Sequence, residues 1–190
     1  MNRRIVIFAS GNGSNAQNII EYFQLKETAT VVQVLSNNKD AKVLERAKAH
    51  DISAQAFTKD ALNNPSELGQ ILARLQPDLI VLAGFLLKFP AYLVTQYPNK
   101  IVNIHPALLP NYGGKGMYGM HVHRAVVANK ESYSGITIHF VNEFYDEGGI
   151  IFQAKTRLTQ KDSPEDVAAK VHALEHEHFP RIIESVILQR

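Results

Sequence analysis

The chain has 190 residues, enough for one well-cored domain and too few for two of ordinary size. Its 45% hydrophobic and 20% charged content is that of a soluble globular protein, and a net charge of +2 gives no reason to expect a general nucleic-acid or membrane surface. With no cysteine, disulfides, thiolate metal sites and cysteine nucleophiles are excluded.

The opening Met1-Asn2-Arg3-Arg4, followed by an apolar run over 5–9, has the outline of a secretory leader. The run is too short for one and ends at once in Ser10-Gly11-Asn12-Gly13. No apolar stretch reaches transmembrane length, so a cytoplasmic protein is the expectation. Residues 5–9, 31–35, 79–83 and 101–104 read as buried strands, with 52–57 a weaker one. Between them, 15–23, 41–50 and 67–75 carry helical periodicity. Strands buried on both faces and separated by helices form parallel sheets, so the chain starts as a Rossmann-like doubly wound α/β unit.

After Pro110 the pattern changes. A glycine-rich loop over 111–116 precedes a helix over 121–129. Residues 134–141 and 150–158 are β-rich, and the polar link between them ends in Gly148-Gly149, which predicts an antiparallel extension of the sheet. Ser163-Pro164-Glu165-Asp166 opens a long C-terminal helix, with Ser163 as N-cap and Pro164 at the first helical position. That helix should run to about Leu188, with a bend at Pro180. The expected architecture is a single domain over 1–190, an α/β fold with a mostly parallel sheet, an antiparallel β extension and a long final helix.

Asn103-Ile104-His105-Pro106 carries the strongest chemical signal. On a strand, positions i and i+2 share a face, so Asn103 and His105 present an amide donor and a titratable donor to one point. Such a pair suits an oxyanion, although two polar caps at a strand end would look the same. Asp146, in the glycine-bordered run Tyr145-Asp146-Glu147-Gly148-Gly149, is a candidate partner for His105. A carboxylate beside an imidazole favours the charged ring.

The turn Ser10-Gly11-Asn12-Gly13-Ser14-Asn15-Ala16 formally satisfies the G-x-G-x-x-A dinucleotide fingerprint. The acidic residue expected after the second strand is replaced by Ser36-Asn37-Asn38, with no carboxylate before Asp40. Free N–H groups at a helix start, beside the Ser14 hydroxyl and Asn15 amide, fit one phosphate better than a dinucleotide. His172-Ala173-Leu174-Glu175-His176 matches the H-x-x-E-H zinc motif, which gives a zinc hydrolase as an alternative reading. A zinc site needs a third protein ligand, and beyond Glu177, which adjoins the motif, Glu184 is the only later acidic side chain. The pair His121 and His123 reads as helix-entry chemistry rather than a metal pair.

Taken in order, these motifs resemble the formyltetrahydrofolate-dependent formyltransferase family. The resemblance rests on Leu82-Ala83-Gly84-Phe85, on Asn103-Ile104-His105-Pro106-Ala107-Leu108-Leu109-Pro110, on His139-Phe140-Val141, and on Asp146 with its following glycines. Gly11-Asn12-Gly13-Ser14-Asn15 points within that family to the branch that formylates glycinamide ribonucleotide for purine synthesis. The resemblance implies Asn103, His105 and Asp146 as the catalytic trio. It implies Gly13, Ser14 and Asn15 on the substrate phosphate and Glu175 on the ribose hydroxyls. It assigns Leu86, Leu87, Lys88, Phe89, Asn103 and Val141 to the folate. Residues 1–100 would then form the phosphate-binding half and 101–190 the catalytic and folate-binding half.

The implied co-substrate is 10-formyltetrahydrofolate, without a metal, and the implied partners are small molecules, with the chain a monomer or homodimer. The branches that act on methionyl-tRNA or hydrolyse formyl-folate carry added domains for which this length leaves no room. Two features depart from the family pattern. The link Gly113-Gly114-Lys115-Gly116-Met117-Tyr118-Gly119-Met120 is expanded, and the family's basic residue has no clear counterpart over 57–65, where Lys59 is the candidate.

Overall fold

The computed structural model describes residues 3–189. The leader-like reading of Met1 and Asn2, and Arg190 at the end of the expected domain, lie outside the described residues. The first half runs β1 (Arg3–Phe8), α1 (Ser14–Lys26), β2 (Ala29–Ser36), α2 (Lys42–Ala49), β3 (Ala54–Ala56), α3 (Lys59–Leu62), α4 (Gln70–Leu75), β4 (Leu79–Leu82) and α5 (Ala91–Gln96). The second runs β5 (Ile101–His105), α6 (Met120–Ala128), β6 (Tyr133–Phe140), β7 (Ile150–Arg157) and α7 (Pro164–Leu188).

Seven strands form one sheet in the order β3-β2-β1-β4-β5-β6-β7. Pairing is parallel from β3 through β5 and antiparallel from β5 to β7, as the doubly wound start and the β extension require. Alternation along each strand builds a core on each face. Ile5, Ile7, Leu79, Val81, Val102 and Ile104 face the helices α1, α2 and α7. Val6, Phe8, Ile80, Leu82 and Ile101 face Leu68, Leu72, Phe89 and Leu93. Continuing the alternation from Ile101 puts Asn103 and His105 on the second face, at the carboxyl end of the sheet.

Some elements differ from their sequence patterns. The helix expected over 67–75 is divided, because Pro65–Gly69 forms a single π turn before the shorter α4. The strand expected over 52–57 shrinks to three residues at the sheet edge. Helices α3 and α5, of four and six residues, are too short to show a period, although the Thr58 hydroxyl caps α3 by accepting from Ala61 N–H at 3.1 Å.

Helix α7 opens on a reciprocal capping box: Ser163 Oγ accepts the Asp166 N–H, and the Asp166 carboxylate accepts the Ser163 N–H. It continues through the buried Pro180 to Leu188. Proline has no N–H, so the carbonyl four residues earlier, that of His176, loses its helical partner. Asn18 Nδ2 on α1 donates to that carbonyl at 2.9 Å.

Asn18→Ala should therefore cost about 1–2 kcal/mol in urea unfolding. The penalty should shrink in a Pro180→Ala background, where the backbone supplies the missing donor. An equal penalty in both backgrounds would show that Asn18 does not serve this carbonyl.

Candidate active site

Strand order reverses between β1 and β4, so their loops part at the carboxyl edge of the sheet and leave a crevice. A cavity of about 580 Å³ opens there. Its lining comes from both halves of the chain: Asn15 and Leu86–Phe89 from the first, and Asn103, His105, Asp146 and Glu175 from the second.

At the centre, Asn103 lies opposite His139 across the antiparallel pair β5 and β6, and His105 lies opposite Thr137. His139 Nδ1 is 2.8 Å from the Phe140 carbonyl, which can only accept, so Nδ1 carries a proton. Burial first, and the nearby His105 ring more weakly, push the His139 imidazole below the ordinary histidine range, against the opposing pull of the Phe140 carbonyl and of Asp146. The neutral ring then offers the Nε2 lone pair to Asn103 Nδ2 at 3.1 Å. This fixes which end of the Asn103 amide faces the sheet and leaves its second N–H for the cavity.

His105, 3% exposed, donates Nε2–H to the Tyr112 carbonyl at 2.7 Å, and its Nδ1 stands 3.6 Å from Asp146 Oδ2. Asp146 Oδ1 is 3.7 Å from His139 Nε2, so the carboxylate sits between two imidazoles. Asp146 Oδ2 also accepts the Gly114 N–H at 2.9 Å. The loop can carry Asp146 back over the sheet because residue 148 is glycine: a Cβ there would lie 1.6 Å from the Phe140 carbonyl oxygen.

At the other end of the cavity, Gly13 caps α1 in the left-handed region at φ 81°, where a Cβ would meet Val43 at 2.5 Å. No side chain caps α1 and its first turn carries no acid, so the first N–H groups are available to an anion. Ser14 Oγ bonds His172 Nε2 at 3.0 Å, and Asn15 Nδ2 donates to Glu175 Oε2 at 2.8 Å. Burial raises the Glu175 carboxyl above its ordinary range, with Asn15 and His172 pulling the other way. Burial and then the His172 charge lower the His176 ring, which lies 4.2 Å from that of His172. Two members of the zinc-like motif thus have partners on α1, and among the described residues no group of three or more His, Cys, Asp or Glu is arranged to hold a metal.

The apolar wall comes from Leu86–Phe89, Val141 and the rim residues Phe144 and Tyr145. Lys88 Nζ lies 5.8 Å from the Tyr145 ring centroid, and Phe89 is buried at 5.2 Å from Phe8. The expanded link is part of the site, since Gly114 to Gly119 line the cavity. Lys59 is exposed at the start of α3 and does not line it. Neither do Gly13 and Ser14, which reach the cavity only through Asn15 and His172.

Three contributors lay outside the sequence reading. His139 stands in the motif His139-Phe140-Val141, whose pattern alone assigns it no role. Tyr112 acts through its carbonyl, which no side-chain pattern reveals. His123 reads as helix entry but is 5% exposed on the cavity wall, with Nδ1 unpartnered and the ring lowered by burial and by His105.

A family model described as "Formyl transferase" matches residues 3–183. The chain is 40% identical to the chloroplastic phosphoribosylglycinamide formyltransferase of Arabidopsis thaliana, over 99% of this chain and 66% of that protein. It is 38% identical to the phosphoribosylglycinamide formyltransferase of Escherichia coli strain K12, over 94% of this chain and 84% of that one. The crystal structure of phosphoribosylglycinamide formyltransferase from Anaplasma phagocytophilum superposes with a TM-score of 0.90 at 28% identity, covering 100% of this chain and 89% of that one. The chain belongs to the formyl transferase family. It spans 66% and 62% of the lengths of the two plant relatives, from Arabidopsis thaliana and Vigna unguiculata.

The tautomer assigned to His139 is directly measurable. Nitrogen-detected NMR at pH 7 should show a neutral His139 ring with the proton on Nδ1, taking its second proton only below the usual histidine range. A doubly protonated ring at pH 7 would break the argument that fixes the Asn103 amide.

Proposed function

We propose that this chain transfers the formyl group of 10-formyltetrahydrofolate to the primary amine of 5-phosphoribosylglycinamide, a step of purine biosynthesis. The observation that carries the proposal is the convergence of Asn103, His105 and Asp146 at one end of a cavity whose other end is the open start of α1. That spacing suits a substrate with an amine at one end and a phosphate at the other. The first-turn N–H groups and Asn15 take the phosphate, and Glu175 accepts from the ribose hydroxyls. The pterin ring lies against Leu86–Phe89 and Val141.

In the reaction the amine nitrogen attacks the formyl carbon, a C–N bond forms, and the formyl oxygen becomes an oxyanion. The second N–H of Asn103 and the Nδ1–H of protonated His105 are the donors for it. Collapse of the tetrahedral intermediate breaks the bond from carbon to folate N10. The attacking nitrogen gives up a proton and N10 gains one, through a water that Asp146 orients. The products are the formylated ribonucleotide and tetrahydrofolate. The Asp146 carboxylate, held by the Gly114 N–H, stays in place through these steps.

Incubation with both substrates should release tetrahydrofolate, and omission of the ribonucleotide should abolish that release. Asn103→Ala should lower kcat about 10²–10³-fold with little change in either KM, as expected for a donor used in the transition state. Turnover that is abolished by a chelator and restored by zinc would instead favour a metal hydrolase.

The phosphate and ribose assignments have their own test. Asn15→Leu and Glu175→Gln should each raise the KM for the ribonucleotide about tenfold or more and leave that for the folate nearly unchanged, because both residues lie at the α1 end of the cavity. Equal losses for both substrates would remove these residues from the ribonucleotide end.

A further inference from the structure

Ser10 stands where β1 gives way to the loop that leads into α1, and it is 8% exposed. Its N–H donates to the Gly84 carbonyl at 3.0 Å, which carries the pairing of β1 with β4 past the end of both strands. Its hydroxyl is doubly used. Oγ–H donates to Asn37 Oδ1 at 2.6 Å, beyond the end of β2, and Oγ accepts the Leu86 N–H at 2.9 Å. One side chain therefore ties together the loops that leave three adjacent strands.

The tie to Leu86 falls at a particular place. Gly84 lies in the left-handed region at φ 74°, and there the chain turns out of β4 into the segment that walls the cavity. Leu86 is 50% exposed, so packing does little to hold its backbone. The Ser10 hydroxyl is the partner of its N–H. Donation to Asn37 polarises that hydroxyl and strengthens its acceptance from Leu86.

We infer that Ser10 is a positioning residue for the folate-binding wall: its hydroxyl sets the segment from Leu86 to Phe89 without touching either substrate. The inference rests on the assignment of that wall to the folate under the proposed function. It assigns to the opening of the phosphate loop a role toward the other substrate. Four and five residues further on, Ser14 and Asn15 face the ribonucleotide end. Removing the Ser10 hydroxyl should thus be felt at the folate end while the start of α1 is left intact.

Calorimetric titration with tetrahydrofolate and, separately, with the ribonucleotide tests this, alongside steady-state kinetics. Ser10→Ala should weaken folate binding and raise the folate KM about five- to tenfold, as expected for one lost hydrogen bond. Its kcat at saturating folate and its ribonucleotide affinity should stay within about twofold of wild type, a split that general destabilisation would not produce. Asn37→Ala, which removes only the acceptor, should shift folate binding in the same direction by less. Adding it to Ser10→Ala should have no further effect, because the hydroxyl is already gone.

Equal loss of both ligands in Ser10→Ala, or additive effects in the double variant, would overturn the role of Ser10 alone. If Ser10→Ala does not fold, an unchanged folate affinity in Asn37→Ala overturns it. Wild-type protein that binds neither ligand would overturn the proposed function and this inference with it.

Discussion

The antiparallel register that sets Asn103 opposite His139 is the constraint on which the rest of the site depends. In a parallel sheet, every strand that reaches the carboxyl edge arrives with the same polarity and adds another loop there. By reversing at β6, the chain returns along the edge of β5, so His139 meets Asn103 side to side rather than through a loop. A one-residue slip would send Asn103 and His105 into the core that holds Val102 and Ile104, while those two aliphatic side chains would face the cavity. The apolar residues on both faces of β5 therefore lock the placement of Asn103 and His105 as a consequence of burying themselves.

Within that frame, two imidazoles flank one carboxylate at nearly equal distance, 3.6 Å for His105 and 3.7 Å for His139. Their backbone partners separate their roles. The Phe140 carbonyl claims Nδ1 of His139, so the lone pair of its neutral ring points at Asn103. The Tyr112 carbonyl claims Nε2 of His105, so its Nδ1 points at Asp146. One histidine orients a neutral donor, and the other turns its second nitrogen toward Asp146. Two groups with the same chemistry take different tasks because two main-chain oxygens approach different ring nitrogens.

The legible part of the fold was the part written in local pattern. Alternation of short apolar runs with longer amphipathic ones revealed the parallel half, and Ser163-Pro164 with Asp166 marked the start of α7. Spacing of two residues was enough to put Asn103 and His105 on one face. What stayed hidden depends on contacts distant in sequence. The role of His139 follows from a strand pairing across 36 residues, and that of Ser10 from loops 27 and 76 residues away. The π turn at Pro65–Gly69 and the short helices α3 and α5 were hidden for another reason, since they are too short to repeat a helical period. The expanded link departs from the family pattern, yet its Gly114 N–H holds the Asp146 carboxylate.

The start of α1 draws its rigidity from a polar seam between two helices. Ser14 meets His172, Asn15 meets Glu175, Asn18 meets the His176 carbonyl, and Tyr22 meets Glu184. On α1, Ser14, Asn18 and Tyr22 fall four residues apart along one stripe with Asn15 beside it, and their partners advance along α7 in the same direction, so the two helices run side by side, with α1 starting opposite His172 well inside α7. The seam also gives the residues of the H-x-x-E-H pattern partners on α1. A metal would need His172, Glu175 and His176 to turn one shared face toward an ion, whereas α1 already takes up the first two as hydrogen-bond partners and the carbonyl of the third. Pro180 strengthens the arrangement, because the carbonyl it frees is the one that Asn18 secures. The residue that interrupts the helix thereby frees the acceptor that fastens α7 beside the start of α1, where Glu175 accepts from Asn15.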